Sequence, residues 1–174
     1  MSFALSVWTP HFEWRFPLGK HFKCQSCGNC CRFPNVNLYP FDITAINAYL
    51  RSKGLDLHGL EYYDPETLRL HKADGKCVFL VDGSKKSILG YVLGNDSRGT
   101  KCFIYPARPL YCRVFPFKLV DPEKRAIELV EYDFCSGVSK GRIHKARLLE
   151  LDPYAQALMD LENITVKVIR AERG

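Results

Sequence analysis

No stretch of this 174-residue chain approaches the roughly eighteen consecutive apolar residues that a membrane span requires. The opening Met1-Ser-Phe-Ala-Leu-Ser-Val-Trp-Thr-Pro10 lacks a basic n-region and a long apolar h-region, so a cytoplasmic protein with no membrane partner is expected. Low-complexity tracts, repeats of fixed period and an evident linker are also missing. One domain over residues 1–174 is therefore expected, with a motif region at 22–140 and a helical tail at 141–174. There is no Gly-rich nucleotide loop. The C-x3-C-x2-C spacing of radical S-adenosylmethionine enzymes is absent as well. None of the histidines His11, His21, His58, His71 and His144 has a partner at metal-site spacing, although His21, three residues before Cys24, is the best outside candidate.

The composition is that of a globular protein, 47% hydrophobic and 25% charged, long enough to bury a hydrophobic core. The formal charge is +6, from 25 Lys and Arg against 19 Asp and Glu. That balance invites nucleic acid as a partner, but the basic residues are dispersed, with Lys85-Lys86 and Lys140 to Arg147 the densest places. If eight thiolates were held at two divalent centres, the net charge would fall to about +2. Nucleic acid is therefore not the favoured partner.

Eight cysteines are present, four of them in Cys24-Gln-Ser-Cys27-Gly-Asn-Cys30-Cys31, followed by Cys77, Cys102, Cys112 and Cys135. No packing requirement produces such a cluster. A reducing cytoplasm keeps thiols free, so metal or iron–sulfur ligation is favoured over disulfides or a thiol redox pair. Two intervening residues let a turn bring Cys24 and Cys27 onto one ion, with Gly28 supplying the backbone freedom. Cys24-x2-Cys27-x2-Cys30 repeats the first three spacings of the bacterial ferredoxin ligand run, and zinc knuckles use C-x2-C too. Consecutive side chains usually diverge, so Cys30 and Cys31 are expected to serve two centres, or one centre and a nearby partner. Arg108 and Arg113 flank Cys112, where cationic donors would stabilise thiolate and raise a cluster's potential.

Periodicity predicts an α+β fold of short antiparallel strands and helices around cysteine-rich loops. Phe12-Glu-Trp14-Arg-Phe16 alternates as a strand does. Ile43, Ile46 and Leu50 share a helix face, with Asp42 as N-cap and Gly54 as stop. Lys76 to Val81 reads as one strand bounded by turns, and Ile88 to Leu93 as another, followed by a loop from Gly94 to Gly99. Phe115 to Val120 and Ala126 to Tyr132 form an expected hairpin. Asp152-Pro153 reads as the N-cap and N1 of a last helix, with Pro153 breaking whatever precedes it. Ile164 to Ile169 suits either strand or helix.

The combination of Cys24 to Cys31, Cys77-Val-Phe-Leu80, Cys102-Phe-Ile-Tyr105-Pro-Ala-Arg108-Pro109-Leu-Tyr-Cys112-Arg113-Val-Phe115-Pro116 and Cys135-Ser-Gly resembles the YkgJ-type CxxCxxCC cysteine-cluster family. The resemblance covers residues 22 to 140, with Ser136 where the family commonly has Pro. It implies a zinc- or iron-chelating domain, in a family that includes the flagellin lysine N-methylases. Those methylases are longer, so what carries over is chelation, not methyl transfer. The expected protein holds one or two [4Fe–4S] clusters on the eight cysteines. It would act in electron transfer with a redox partner, or as a module related to protein lysine methylation. The alternative is a structural zinc protein with four-cysteine sites that binds a protein or nucleic-acid partner.

Overall fold

Alternation at Phe12-Glu-Trp14-Arg-Phe16 becomes a strand whose apolar side chains are fully buried, Trp14 at 0% exposure and Phe16 at 1%. The structure, a computed structural model, describes residues 3–25, 27–32, 36–55, 61–73, 75–81, 101–140 and 142–172. In chain order its elements begin with strands β1 (Phe3–Trp8), β2 (Glu13–Pro17) and β3 (Lys20–Phe22), then helix α1 (Pro40–Ser52). Six two-residue strands follow: β4 (Tyr63–Asp64), β5 (Arg69–Leu70), β6 (Lys72–Ala73), β7 (Lys76–Cys77), β8 (Leu80–Val81) and β9 (Lys101–Cys102). Helix α2 (Leu110–Val114), strands β10 (Phe117–Asp121), β11 (Ala126–Leu129) and β12 (Val138–Lys140), and helix α3 (Lys145–Glu172) complete the chain. The fold class is α+β. The chain divides into two compact units, one of residues 1–23, 113–133 and 137–174, the other of residues 24–112 and 134–136.

The first unit is built on a four-stranded sheet of order β1-β2-β11-β10. Its outer pairs are antiparallel hairpins, and β2 and β11 run parallel at the centre, Trp14 opposite Ile127. The expected hairpin across Asp121 to Arg125 is thus present. Phe117 receives three rings edge-on, Trp14 at 5.0 Å, Phe16 at 5.9 Å and Phe22 at 5.9 Å between centroids. Such edge-to-face packing adds about 0.5–1.5 kcal/mol per pair beyond area burial. Glu13, Arg15 and Glu128 form an ion-pair row, with Arg15 at 2.7 Å from Glu13 and 3.5 Å from Glu128.

Helix α3 corrects one expectation. It runs without a break through Pro153, and Asp152 is not its N-cap. The Asp152 carboxylate is buried instead, where Oδ1 accepts from the Thr9 hydroxyl at 2.9 Å and from Trp14 Nε1–H at 3.0 Å. The carbonyl that Pro153 leaves without its amide partner belongs to Leu149, whose side chain is exposed, so the omission falls on the outer side of the helix. The backbone of Ile164 to Ile169 continues this helix.

Strand β12 pairs with β3, and Lys23 N–H donates to the Gly137 carbonyl at 3.0 Å. A Cβ at Gly137 would lie 2.7 Å from the Lys23 carbonyl oxygen and 2.7 Å from the Phe22 ring. The backbone atom cannot step aside cheaply. Gly137→Ala is expected to lower unfolding stability by about 1–3 kcal/mol, read as a shift in the denaturant midpoint.

The second unit has its own core, in which Leu38, Ile46, Leu50, Tyr62, Leu70, Val78, Phe79 and Ile104 pack together. Helix α1 starts at Pro40, earlier than expected, because proline's fixed φ suits the first helical position. Asp42 is accordingly not the N-cap but sits two residues further in, and its Oδ2 accepts from Tyr39 N–H at 3.0 Å. Gly54, at φ 74°, ends the helix: its N–H bonds the Arg51 carbonyl at 2.9 Å, and Leu55 N–H reaches back to Leu50 at 3.2 Å. The single strand expected over Lys76 to Val81 is two strands separated by Val78 and Phe79. Both of those side chains are drawn into the core. The expected strand at Ile88 to Leu93 and the loop at Gly94 to Gly99 lie outside the described residues.

Candidate metal centre

All eight cysteines belong to the second unit, Cys135 through the short segment 134–136. All are free thiols, half-buried except for the exposed Cys30. Gly28, at φ 71°, turns the chain after Cys27, and Cys31 N–H bonds its carbonyl at 3.0 Å, which places Cys30 and Cys31 in one 3-10 turn, Asn29–Arg32. Cys77 and Cys102 are held by β-ladders, Cys77 opposite Lys72 and Cys102 opposite Leu80. Cys112 lies in α2, whose first amide, Leu110 N–H, is bonded at 2.9 Å to Oδ1 of Asp42 on α1.

Six thiols influence one another electrostatically. A hydrogen bond joins Cys30 to Cys31, and another joins Cys31 to Cys77. The adjacent pair is thus electrostatically coupled. Cys112 feels Cys102, Cys30 and Cys31, and Cys102 feels Cys30 and Cys24. The consequence is suppression of thiolate. The Cys31 bond and burial push the Cys30 thiol far above its ordinary value. Cys31 is lowered by its bond to Cys30, but the bond to Cys77 and burial outweigh this and bring it to about 12. Burial lifts Cys102 to about 11 against the pull of Arg108. Burial, then Cys102, Cys30 and Cys31, raise Cys112 further still. A bound cation inverts this balance, because thiolate is the liganding form. Among the described residues, no three Cys, His, Asp or Glu side chains already stand at ligating spacing.

The two arginines separate. Arg108 lies within electrostatic reach of Cys30, Cys102 and Cys112. The Arg113 guanidinium is 5.0 Å from the Tyr154 ring centroid and donates to the Tyr154 hydroxyl at 3.5 Å, an arrangement internal to the first unit. His21 Nδ1 lies 3.0 Å from the Ser139 carbonyl, and His71 Nδ1 lies 3.1 Å from the Glu61 carbonyl. His58 lies outside the described residues. Sequence reasoning missed Asn29, whose amide donates at 3.0 Å to the Phe134 carbonyl and so ties the segment carrying Cys135 to the cysteine turn. A polar amide placed between Gly28 and the Cys30-Cys31 pair was the available signal.

The family model described as "Putative zinc- or iron-chelating domain", CxxCxxCC, matches residues 23–136. The chain belongs to this family. A relative in Methanocaldococcus jannaschii, the uncharacterized protein MJ0661, is 28% identical over 103 residues, which is 58% of this chain and 47% of the relative. The chain thus matches about half the length of that curated relative. No solved structure matches. The family's chelating description and the eight thiols of the second unit agree that this is a metal-binding domain.

Proposed function

We propose that the second unit carries one or two [4Fe–4S] clusters on Cys24, Cys27, Cys30, Cys31, Cys77, Cys102, Cys112 and Cys135, and that the protein works in electron transfer. The observation that carries the reading is that all eight cysteines are free thiols of the second unit, four of them within Cys24 to Cys31. The donors fit the group: soft, half-buried free thiols suit iron–sulfur and zinc, and suit hard cations poorly. The ferredoxin-like spacing Cys24-x2-Cys27-x2-Cys30 favours the cluster. When bound, a cluster would supply one-electron chemistry. The chain's part is to hold the thiols, limit water and balance their charge.

The physiological partner in this reading is a redox protein, or a methylating enzyme for which this chain serves as a module. Among the described residues no helix is long and apolar enough to cross a membrane. Free thiols at all eight positions suit the reducing cytoplasm. The zinc reading keeps the same ligands and makes the metal a cross-link that shapes a binding surface; the family description, which names zinc beside iron, favours keeping it.

Purification without oxygen, a visible spectrum, and iron, sulfide and zinc per chain decide between them. Brown protein with iron and sulfide in equal amounts is the expected result. Colourless protein with stoichiometric zinc and no sulfide would establish the zinc reading. Metal-free protein that stays folded with every thiol titratable would overturn both.

A further inference from the structure

We propose that the ribbon formed by β3 and β12, together with the start of α3, is a basic docking surface for an acidic protein partner, with Leu18 as its apolar contact. The inference goes beyond the metal centre and holds whichever metal the second unit carries. It begins with two stretches that lack acidic residues altogether: none stands between Glu13 and Asp42, and none between Asp133 and Glu150. Read along the sequence, their cations are dispersed. The fold gathers them, because β3 pairs antiparallel with β12, Lys20 opposite Lys140, His21 opposite Ser139 and Phe22 opposite Val138. Lys20, Lys140, Arg142, Lys145 and Arg147 thus lie along one ribbon and the helix that follows it, all within the first unit. Glu131, 2.7 Å from Lys20 Nζ, and Glu150, paired with Arg147, offset two of these five charges. Arg142 and Lys145 are exposed.

Two of these placements run against local stability. Like charges on directly opposite residues of a strand pair repel, as at Lys20 and Lys140. The first turn of α3 carries Lys145 and Arg147 and no acid, where the helix dipole favours anions. Departures from local rules of this kind mark functional surfaces, and an anionic partner relieves both. What selects a protein is the turn between β2 and β3, where Leu18, 78% exposed, stands two residues before Lys20. An apolar contact ringed by charge is the make-up of a protein interface. Nucleic acid fits less well. The Phe22 ring of the ribbon is turned edge-on to Phe117 at 5.9 Å and gives no stacking face to a base, and the Glu131 carboxylate beside Lys20 repels phosphate.

The test uses the full chain as purified and the fluorescence anisotropy of three labelled probes of equal charge: a glutamate-rich peptide carrying leucines, a poly-glutamate and a single-stranded DNA oligomer. The leucine-bearing peptide is expected to bind most tightly, and less so as salt rises. Replacing Arg142 and Lys145 together by Gln should weaken its binding about 5–10-fold, as the loss of two exposed charge contacts implies. Replacing Lys72 and Lys118 by Gln removes the same charge from exposed positions off the ribbon and should change it less than about 2-fold. Leu18→Ser should cost the leucine-bearing peptide about 10-fold and leave poly-glutamate binding unchanged. Equal losses in the two double variants would reduce the effect to net charge and overturn the proposal. Tighter binding of DNA than of either peptide would overturn it in favour of a nucleic-acid face, and binding of no probe would overturn it outright. If the Arg142 and Lys145 double variant does not fold, Arg142→Gln alone and Leu18→Ser carry the comparison, and wild-type binding in both overturns the proposal. No readout involves metal, so failure of the metal-centre reading is scored separately.

Discussion

Cys31→Ser is expected to weaken metal binding by more than about 100-fold, the upper end of what losing a mere outer partner costs. Cys31 interacts electrostatically with four other thiols, Cys30, Cys77, Cys102 and Cys112. Serine keeps nearly the same volume, so packing around the site should hardly change, and the effect isolates the sulfur. Metal-free Cys31→Ser should therefore unfold at a denaturant midpoint close to that of metal-free wild type, since the apolar core around Leu38, Ile46 and Phe79 is untouched. Metal-loaded wild type should be more stable than either, because whatever binds only the native state stabilises it. Chelator competition on both proteins gives the affinity ratio. An unchanged affinity in Cys31→Ser would remove Cys31 from the ligand set and shift attention to the Cys24, Cys102 and Cys112 side.

Trp14→Ala should produce the largest stability loss in the first unit, about 3–5 kcal/mol as for other fully buried large aromatics. Against a total of about 5–15 kcal/mol for a folded domain, that is a large share of the stability. Two effects combine. The substitution removes the ring that packs on Phe12 and Phe117, and it takes from Asp152 one of its two donors. Asp152 Oδ2 is already buried without a partner among the described residues, so the carboxylate has little to fall back on. Trp14→Phe narrows the comparison, since it keeps an aromatic ring in the core while losing the N–H together with the five-membered part of the indole. Its expected cost is about 1–3 kcal/mol, the usual penalty for depriving a buried acceptor. Urea melts of both variants measure this; a loss below about 1 kcal/mol for Trp14→Ala would mean the residue is not packed as described.

Local pattern sufficed for some of this architecture and failed where distant residues decide. Alternation revealed β2, whose Trp14 and Phe16 are buried while Glu13 and Arg15 are only partly so, and two apolar runs flanking Asp121 to Arg125 revealed the β10–β11 hairpin. It did not reveal that α3 continues through Pro153. What holds Asp152 there is a hydroxyl and an indole N–H supplied by Thr9 and Trp14, more than a hundred residues away in sequence. The split of Lys76 to Val81 has the same origin, since Val78 and Phe79 answer to the core and not to a neighbouring strand. In the site, spacing marked all eight cysteines as a set but not which thiols touch. It also set Arg108 and Arg113 side by side. Successive residues on a helix point about 100° apart, so Cys112 and Arg113 on α2 do not share a face, whereas Arg108 lies before the helix and is aimed by Tyr105.

The parallel pairing of β2 with β11 has a consequence for the order of assembly. Glu13 meets Ala126, and the chain between these partners contains seven of the eight cysteines. On a ribosome those seven thiols emerge before β11 exists, so the knuckle, the β-ladders and α2 can begin to gather metal while the central sheet still lacks a strand. Each metal–sulfur link formed within that segment shortens the path that the sheet must later close. The thermodynamic gain is small, about 0.6 kcal/mol for each halving of a loop. Closure over so long a separation is slow, however, and rate is where contact order acts most strongly. If these cysteines ligate metal as proposed, metal supply during synthesis bears on how fast the first unit completes its sheet.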